Sequence, residues 1–265
     1  MPSNSKMSQI TQPTNLDFND ITFGEKNTIE SGASFVNMKL NGDNGARQIL
    51  LQLPKVTCFG ADVFVDEKSG DKRYSLSVQF KKEDLESDEK TAKALDVLKE
   101  FTTQIKAWAK SNSQDLFKKK NASNDYIDAC FTDFLKESKD KETEEPDGRY
   151  FTLKLKLKPH KKKEGTFDFG AFDSSKAKMD ITKENVSDTI RKWSTVKCVI
   201  TPNIYVIAGK LGVTWNLWQM QYWEPEGVQL ASKDEFCMID SSDDEEEEDV
   251  KEDPHELIED DDDSD

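Results

Sequence analysis

The chain has 265 residues, a formal net charge of −16 and a hydrophobic content of 35%. This apolar content is too high for a wholly disordered chain, and 34% charged residues favour a soluble protein of one large domain or two small ones. Residues 240–265 contain 17 acidic residues and one basic residue, so this segment carries the entire net charge. The overall acidity therefore says nothing about which ligands residues 1–239 bind.

The composition also argues against export, membrane insertion and a structural metal. The first residues lack the apolar run of a signal peptide. The least charged stretch, Cys198–Trp223, contains Pro202 and Asn203, which a membrane helix would bury at considerable cost. The four cysteines are widely spaced without a Cys-x-x-Cys pair, so we expect no disulfide framework, no zinc site and no cofactor. A reducing intracellular compartment fits best.

The first half of the chain changes from strand-like to helical patterning. Residues 1–20 are polar and rich in Pro, Asn and Ser, which predicts a flexible N-terminal arm. Beyond Ser87, apolar residues at three- and four-residue steps predict a helix capped by Ser87 or Asp88 and a shorter helix around residues 126–135. Before these helices, apolar blocks bounded by turn residues predict strands at Ser34–Leu40, Arg47–Leu53, Val56–Val65 and Arg73–Lys81.

The second half returns to strand patterns. Between Arg149 and Lys158, leucines alternate with lysines in an uninterrupted period of two. Two long strands are predicted at Val196–Ile207 and Gly212–Trp223. About seven strands, with helices inserted near residues 87–136, predict a mainly β fold in which residues 21–239 form an OB-like β-barrel. Residues 240–265 consist largely of like charges, which predicts a disordered acidic tail.

No combination of residues indicates catalysis. The sequence has no glycine-rich phosphate loop, no Gly-x-Ser-x-Gly elbow and no His-Glu-x-x-His pair. Of the two histidines, His255 lies in the tail and His160 precedes a run of lysines. We therefore expect a protein that is not an enzyme, and a metal-dependent enzyme built from scattered carboxylates is the remaining alternative of that class.

One pattern that suggests a ligand is a row of lysines, which we call the lysine ladder: Lys154, Lys156 and Lys158 on one side of a predicted strand. Lys161 and Lys162 continue the positive charge into the following loop. Such a line of charge suits a phosphate backbone. It is equally typical of an edge strand that lysines protect from pairing with another chain, and the sequence leaves both interpretations open.

A second pattern is the aromatic content of the last predicted strand. In a regular strand Trp215 and Trp223 lie on one face, whereas Trp218 and Tyr222 lie on the other. One set is expected in the core. The other set, if exposed beside lysines, would stack on unpaired bases without regard to sequence. Trp193, which follows two basic residues, offers the same combination more weakly.

The acidic tail has two interpretations. Solubility alone is a sufficient function for such a segment. A tethered polyanion also competes at high local concentration for a cationic groove on the folded part, and salt weakens that competition. Nucleic acid that displaces the tail would release it to recruit basic partners.

The segment Val196–Tyr222, especially Gly209-Lys210-Leu211-Gly212-Val213-Thr214-Trp215, together with the tail resembles a known group. It is similar to the single-stranded DNA-binding proteins of nucleo-cytoplasmic large DNA viruses, related to the short-tailed-phage type of OB-fold protein with an acidic C-terminal tail. The resemblance implies a role in viral DNA replication, recombination or repair, in the cytoplasmic factory or nucleus of the infected cell. It also implies a homodimer whose tail contacts DNA polymerase or helicase.

In that family, DNA is contacted by aromatic and basic groups on the barrel face, and the positions that match in kind here are Tyr205, Lys210, Trp215 and Trp218. The tail departs from the phage pattern because it ends Asp263-Ser264-Asp265 rather than in an aromatic residue. A mechanism in which a terminal ring fills the DNA groove is therefore in doubt.

These observations predict a barrel that binds single-stranded DNA without strong sequence preference and does not associate with membranes. The expected phosphate contacts are Lys154, Lys156, Lys158, Lys161, Lys162 and Lys210. The expected stacking residues are Tyr205, Trp215, Trp218 and Tyr222. The alternatives are an acidic-tailed histone chaperone or assembly factor, in which the tail is the functional element, and an accessory subunit of a polymerase.

Overall fold

A computed structural model describes residues 10–42 and 45–225 of the chain. Strands predominate in these residues, so the predicted mainly β class with inserted helices is confirmed. The predicted acidic tail, residues 240–265, lies outside the described residues.

Along the chain, a block of strands is followed by a block of helices and then by further strands, which one short helix interrupts. Two short 3-10 turns, Pro13–Asn15 and Phe18–Asp20, precede the first strand. The elements are β1 (Ile21–Thr28), β2 (Ser34–Leu40), β3 (Arg47–Gln48), β4 (Leu51–Val65), β5 (Lys72–Lys81), α1 (Lys82–Ser87), α2 (Glu89–Ser111), α3 (Ser113–Phe117), α4 (Asn124–Cys130), β6 (Phe131–Thr132), β7 (Leu135–Lys139), β8 (Pro146–Leu157), β9 (Gly170–Phe172), α5 (Val186–Thr189), β10 (Lys192–Ile207) and β11 (Lys210–Trp223).

Five strands close into a barrel. β4 pairs with β5, β5 with β8, β8 with β11, β11 with β10, and β10 again with β4. All of these pairs are antiparallel except β8–β11, where Leu155 lies beside Trp215 in a short parallel contact. A ring of five strands is the closure expected of an OB-like barrel. β10 also pairs with β2, so the β1–β2 hairpin extends the sheet beyond the ring.

The core lies inside the barrel and beneath α2. On β8 the leucines at 153, 155 and 157 are fully buried, as the period of two predicts. Helix α2 begins where Asp88 accepts hydrogen bonds from the backbone N–H groups of Lys90 and Thr91, which confirms one of the two predicted caps. Its apolar face belongs to the same core, and the centroids of the Phe101 and Trp215 rings lie 5.2 Å apart.

Two predictions about the first half of the chain are wrong in detail. Residues 11–20 do not form a loose arm, because Thr11 pairs with Leu51 and the Phe18 ring packs 5.0 Å from Phe101. The second helix ends at Cys130 instead of continuing to residue 135, because the chain then pairs with β11 and β8 as β6 and β7. These short strands raise the strand number in the described residues above the predicted seven.

No helix among residues 10–42 and 45–225 is both long and apolar enough to cross a membrane. Within the same residues, no three His, Cys, Asp or Glu side chains are grouped to hold a metal ion. Cys58, Cys130 and Cys198 are free and buried, and burial raises the pKa of the Cys58 thiol to about 11.

Candidate nucleic-acid interface

The lysine ladder lies on the outer surface of an interior strand. Lys154, Lys156 and Lys158 are exposed, and the first two lie directly across from Ser77 and Ser75 on β5. β8 pairs with β5 on one side and with β7 and β11 on the other. The edge-strand interpretation is therefore wrong, and protection against strand pairing does not explain these lysines.

The loop after β8 brings more positive charge to the same place. His160 Nδ1 accepts hydrogen bonds from the backbone N–H groups of Lys162 and Lys163 at 3.0 and 3.1 Å, which closes a turn of exposed lysines. Partial desolvation and the nearby ammonium groups of Lys156 and Lys161 lower the pKa of Lys158, against an opposing effect of Asp168. Like charges are thus crowded here, and a bound anion would relieve that repulsion.

Two of the predicted stacking residues lie in the core. Trp215 is 1% exposed and packs against the rings of Phe101 and Phe134, and Tyr222 is 4% exposed. The Tyr222 hydroxyl accepts a hydrogen bond from the backbone N–H of Arg191 at 3.4 Å, and burial raises the pKa of this tyrosine. The prediction that Trp215 and Tyr222 stack on bases is therefore wrong.

A β-bulge at Trp218 explains this error. Ile200 pairs with Leu217 and the preceding Val199 pairs with Gln219, so Trp218 is an extra residue without a partner on β10. One extra residue reverses the alternation of inner and outer positions. Side chains with odd numbers face the core before the bulge and those with even numbers face it afterwards. Trp218 itself is 42% exposed on the outer surface.

Tyr205 and Lys210 lie at the other end of the same pair of strands, beside the β10–β11 turn. The Tyr205 ring is half-buried and lies over Gly212, where a Cβ atom would collide with the tyrosine hydroxyl. Lys210 is exposed, and its Nζ donates a hydrogen bond to the carbonyl of Ala129 at 2.9 Å. The ammonium group of Lys210 is therefore held at the end of α4 rather than beside the lysine ladder.

The outer surface of β10 and β11, which we call the hairpin face, meets the lysine ladder at a cavity of about 430 Å³. Lys158, Thr201 and Asn216 line this cavity together with the ends of β2 and β3. Asn216 is 2% exposed, and its amide nitrogen donates to the carbonyls of Thr201 and Thr214 at 3.4 and 3.3 Å. Its amide oxygen has no hydrogen-bond partner among the described residues.

Two further cavities lie along the hairpin face and share lining residues with each other. A cavity of about 360 Å³ contains Trp218 and His160, with Phe169 contributed by the loop before β9 and Phe172 by β9 itself. A neighbouring cavity of about 420 Å³ shares Phe172 with it and is lined by Lys197. The pairing of β9 with β11 holds these phenylalanines beside Trp218. These two cavities form one groove, in which the exposed Trp218 lies between His160, which follows the lysine ladder, and Lys197.

Lys197 forms a close pair of like charges with a lysine on β4. Lys197 lies directly opposite Lys55 across the β4–β10 pair, an arrangement that costs stability unless an anion is bound nearby. Lys55 Nζ lies 4.0 Å above the Trp223 ring, in a cation–π contact. None of the five ion pairs found among the described residues involves these lysines or the ladder. Asp168 is the one carboxylate among the residues that line the three cavities.

Sequence reasoning missed Lys55, Lys197, Phe169 and Phe172 as members of this surface. Lys197 had a readable signal, because it alternates with the buried Val196 and Cys198. Lys55 had none, since only the pairing of β4 with β10 brings it to the hairpin face.

No family model and no curated protein matches the chain. A single-stranded DNA-binding protein from bacteriophage Enc34, solved in complex with single-stranded DNA, is 13% identical with a TM-score of 0.41, over 76% of this chain and 97% of that chain. The single-stranded DNA-binding protein gp2.5 encoded by bacteriophage T7 is 15% identical with a TM-score of 0.43, over 71% of this chain and 98% of that chain. Such low identities and TM-scores do not establish a family or a function for this chain.

Proposed function

We propose that this protein binds single-stranded DNA, without strong sequence preference and without catalysis, along the hairpin face and the lysine ladder. The observation that carries the proposal is the position of Trp218, which is exposed in a groove between the ladder and Lys197. Groups of lysines neutralise phosphates and release their counterions. An exposed indole supplies a stacking surface for a base of any identity.

The same arrangement favours a single strand over a duplex. Trp218 offers its ring inside a groove that is also lined by Phe169 and Phe172. A base reaches such a ring only when it is unstacked from its neighbours, which is costly in a duplex and inexpensive in a single strand. The lysines attract both forms of DNA, so the aromatic groove is the part that discriminates between them.

The test is a titration of labelled oligo-dT and of duplex DNA of equal length, followed by fluorescence anisotropy. We expect salt-sensitive binding that is tighter for the single strand. The double variant Lys154→Glu/Lys156→Glu should weaken binding at least about tenfold. It should also make the plot of log K against log salt concentration less steep, by roughly 0.7 in slope for each lost phosphate contact.

The matched control is Lys110→Glu/Lys120→Glu, which makes the same charge change at exposed lysines beside α2 and α3. This control should lose much less affinity than the ladder variant. Equal losses in both variants would show that net charge alone attracts DNA and would contradict a site on the ladder. Equal affinity of the wild-type protein for both forms of DNA would contradict the proposed stacking.

The acidic tail is proposed to regulate this site by competing with DNA. The last described residue, Pro225, follows the end of β11, so the tail is tethered at one end of the hairpin face. Residues 226–239 span at most about 50 Å, which exceeds the length of β11, about 45 Å. The acidic run is therefore within reach of the whole groove. Once displaced by DNA, it would recruit DNA polymerase or helicase.

Truncation after residue 239 tests this part of the proposal. We expect tighter oligo-dT binding at low salt and no difference at high salt, because screening weakens the competition. A chaperone whose tail is the functional element would instead lose histone binding and gain no affinity for DNA. The homodimer and the role in viral replication, recombination or repair rest on the sequence resemblance alone, and analytical ultracentrifugation would test the first of them.

A further inference from the structure

Trp193 is the most exposed large apolar side chain among the described residues, at 59%. Its backbone φ is +67°, in the left-handed region. A bulky residue adopts this region at an energetic cost and rarely does so outside turns and functional sites. Trp193 therefore combines two unfavourable features, an exposed indole and a strained backbone, and neither stabilises the fold.

The surrounding chain holds Trp193 in this position. Lys192 pairs with Phe59 and Ser194 pairs with Cys58, so Trp193 is the extra residue of a β-bulge in β10. The Ser194 hydroxyl donates a hydrogen bond to the carbonyl of Arg191 at 2.8 Å, which fixes the turn of the chain around the tryptophan. Strain that is fixed by its surroundings in this way is typical of positions that contact a ligand.

The partner strand is shaped to match the bulge. Gly60 has φ +83°, and a Cβ at this position would lie 3.2 Å from the Ile190 carbonyl and from Lys192. The close approach places the Phe59 ring 4.6 Å from the Trp193 ring, with 58° between their planes. The two rings together form one aromatic surface, of which the Trp193 part is accessible.

Trp193 also lies in line with the groove. On β10, Thr195 pairs with Trp223, and the Lys55 ammonium group lies over the Trp223 ring. Lys197 lies two residues beyond Thr195 on the same strand. Val199, next to the bulge at Trp218, is six residues from Trp193, a distance of about 20 Å along the strand. The two most exposed tryptophans thus mark the two ends of a surface that carries lysines between them, and both lie on bulges.

We propose that Trp193 and Phe59 form a second stacking position, which takes an unpaired base of the same DNA strand that passes Trp218. This inference rests on the proposed function. Arg191 and Lys192 are exposed beside the ring and would hold the flanking phosphates. Two acidic residues also lie near Trp193: besides burial, the charge of Asp62 raises the pKa of the Cys58 thiol, and that of Glu224 raises the pKa of Tyr222. With Lys55, three basic residues lie at this end of the hairpin face and would attract a phosphate.

The test uses the length of the DNA. At the 3.4 Å per nucleotide of a stacked strand, about six nucleotides would cover the distance between the two tryptophans. The unstacked strand that reaches the rings is longer per nucleotide and covers the same distance with fewer nucleotides. An oligo-dT of two nucleotides is therefore too short to engage both positions, whereas one of about 20 nucleotides engages both. We expect Trp193→Ala to weaken binding of the long oligomer roughly fivefold or more. Binding of the short oligomer should change by no more than about twofold, because the position at Trp218 remains.

Two further variants separate stacking from folding. Trp193→Phe keeps a ring and should retain most of the affinity for the long oligomer. Trp193→Asn removes the ring but suits the left-handed backbone, so it should lose affinity as Trp193→Ala does while its unfolding temperature stays the same or rises. A stability role alone would instead lower the unfolding temperature in both ring-deletion variants.

The outcomes distinguish the two proposals. Equal affinity of wild-type protein and Trp193→Ala for the long oligomer would overturn the second stacking position and leave the site at Trp218 intact. Equal losses on short and long oligomers would also overturn it, because they indicate a general disturbance of the barrel. Absence of binding by the wild-type protein at both lengths would contradict the proposed function itself.

Discussion

The inner and outer surfaces of β11 place the same type of residue in opposite environments. Trp215 is 1% exposed and packs in the core against Phe101, whereas Trp218, three residues later, is 42% exposed in the groove. A single unpaired residue in the strand separates these two environments. The bulge lets one strand close the barrel and also present an indole to solvent. Trp193 is likewise an exposed tryptophan at a β-bulge, in this case on β10.

The largest expected effect belongs to the inner surface. Trp215→Ala should lower the free energy of unfolding by about 3–5 kcal/mol, because it leaves a cavity where the ring met Phe101 and Phe134. Urea denaturation measures this change. If Trp215→Ala kept its stability but lost DNA binding, Trp215 would belong to the DNA site, and the assignment of this ring to the core would be contradicted.

The next effect belongs to the outer surface. Trp218→Ala should weaken oligo-dT binding by about 1–3 kcal/mol, since the stacking ring is removed. The free energy of unfolding should change by less than about 0.5 kcal/mol, as is usual for an exposed position. Trp218→Phe is the matched control and should keep most of the affinity. Intact binding by Trp218→Ala, measured by anisotropy, would contradict the proposed site.

The smallest effect has opposite signs for stability and for binding. Lys197→Gln removes one of two like charges that face each other across β4 and β10, so it should raise the free energy of unfolding by about 0.2–1 kcal/mol. The same substitution should weaken oligo-dT binding. Lys120→Gln, at an exposed site after α3, is the control for charge alone. A lower free energy of unfolding for Lys197→Gln would show that other groups of the protein offset the repulsion between Lys55 and Lys197.

Much of the fold follows from the sequence because it depends on local periodicity. The strand predicted at Ser34–Leu40 has the same first and last residues as β2. The alternation of leucines and lysines correctly assigned the buried and exposed faces of β8. The cap at Asp88 followed from its position before an apolar helix. β1 was missed because only Ile21 is buried in it, so the strand has no apolar alternation to detect.

The site was harder to predict because it depends on pairing between distant segments. The bulge at Trp218 is visible only in the register of β10 against β11, and without it the parity of the strand assigns Tyr222 to the wrong face. Lys55 and Lys197 are 142 positions apart and meet only because β4 and β10 close the barrel. The alternating lysines and the closely spaced tryptophans were the sequence patterns that pointed to these residue types.

Photo-crosslinking of the full-length protein to an oligo-dT that carries 5-iodouracil, followed by mass spectrometry of the peptides, tests the central claim most directly. The account predicts crosslinks at Trp218 on the outer surface of β11, and none at the buried Trp215. Crosslinks confined to the helical side, around α2 and α3, would contradict a single-stranded DNA site on the hairpin face.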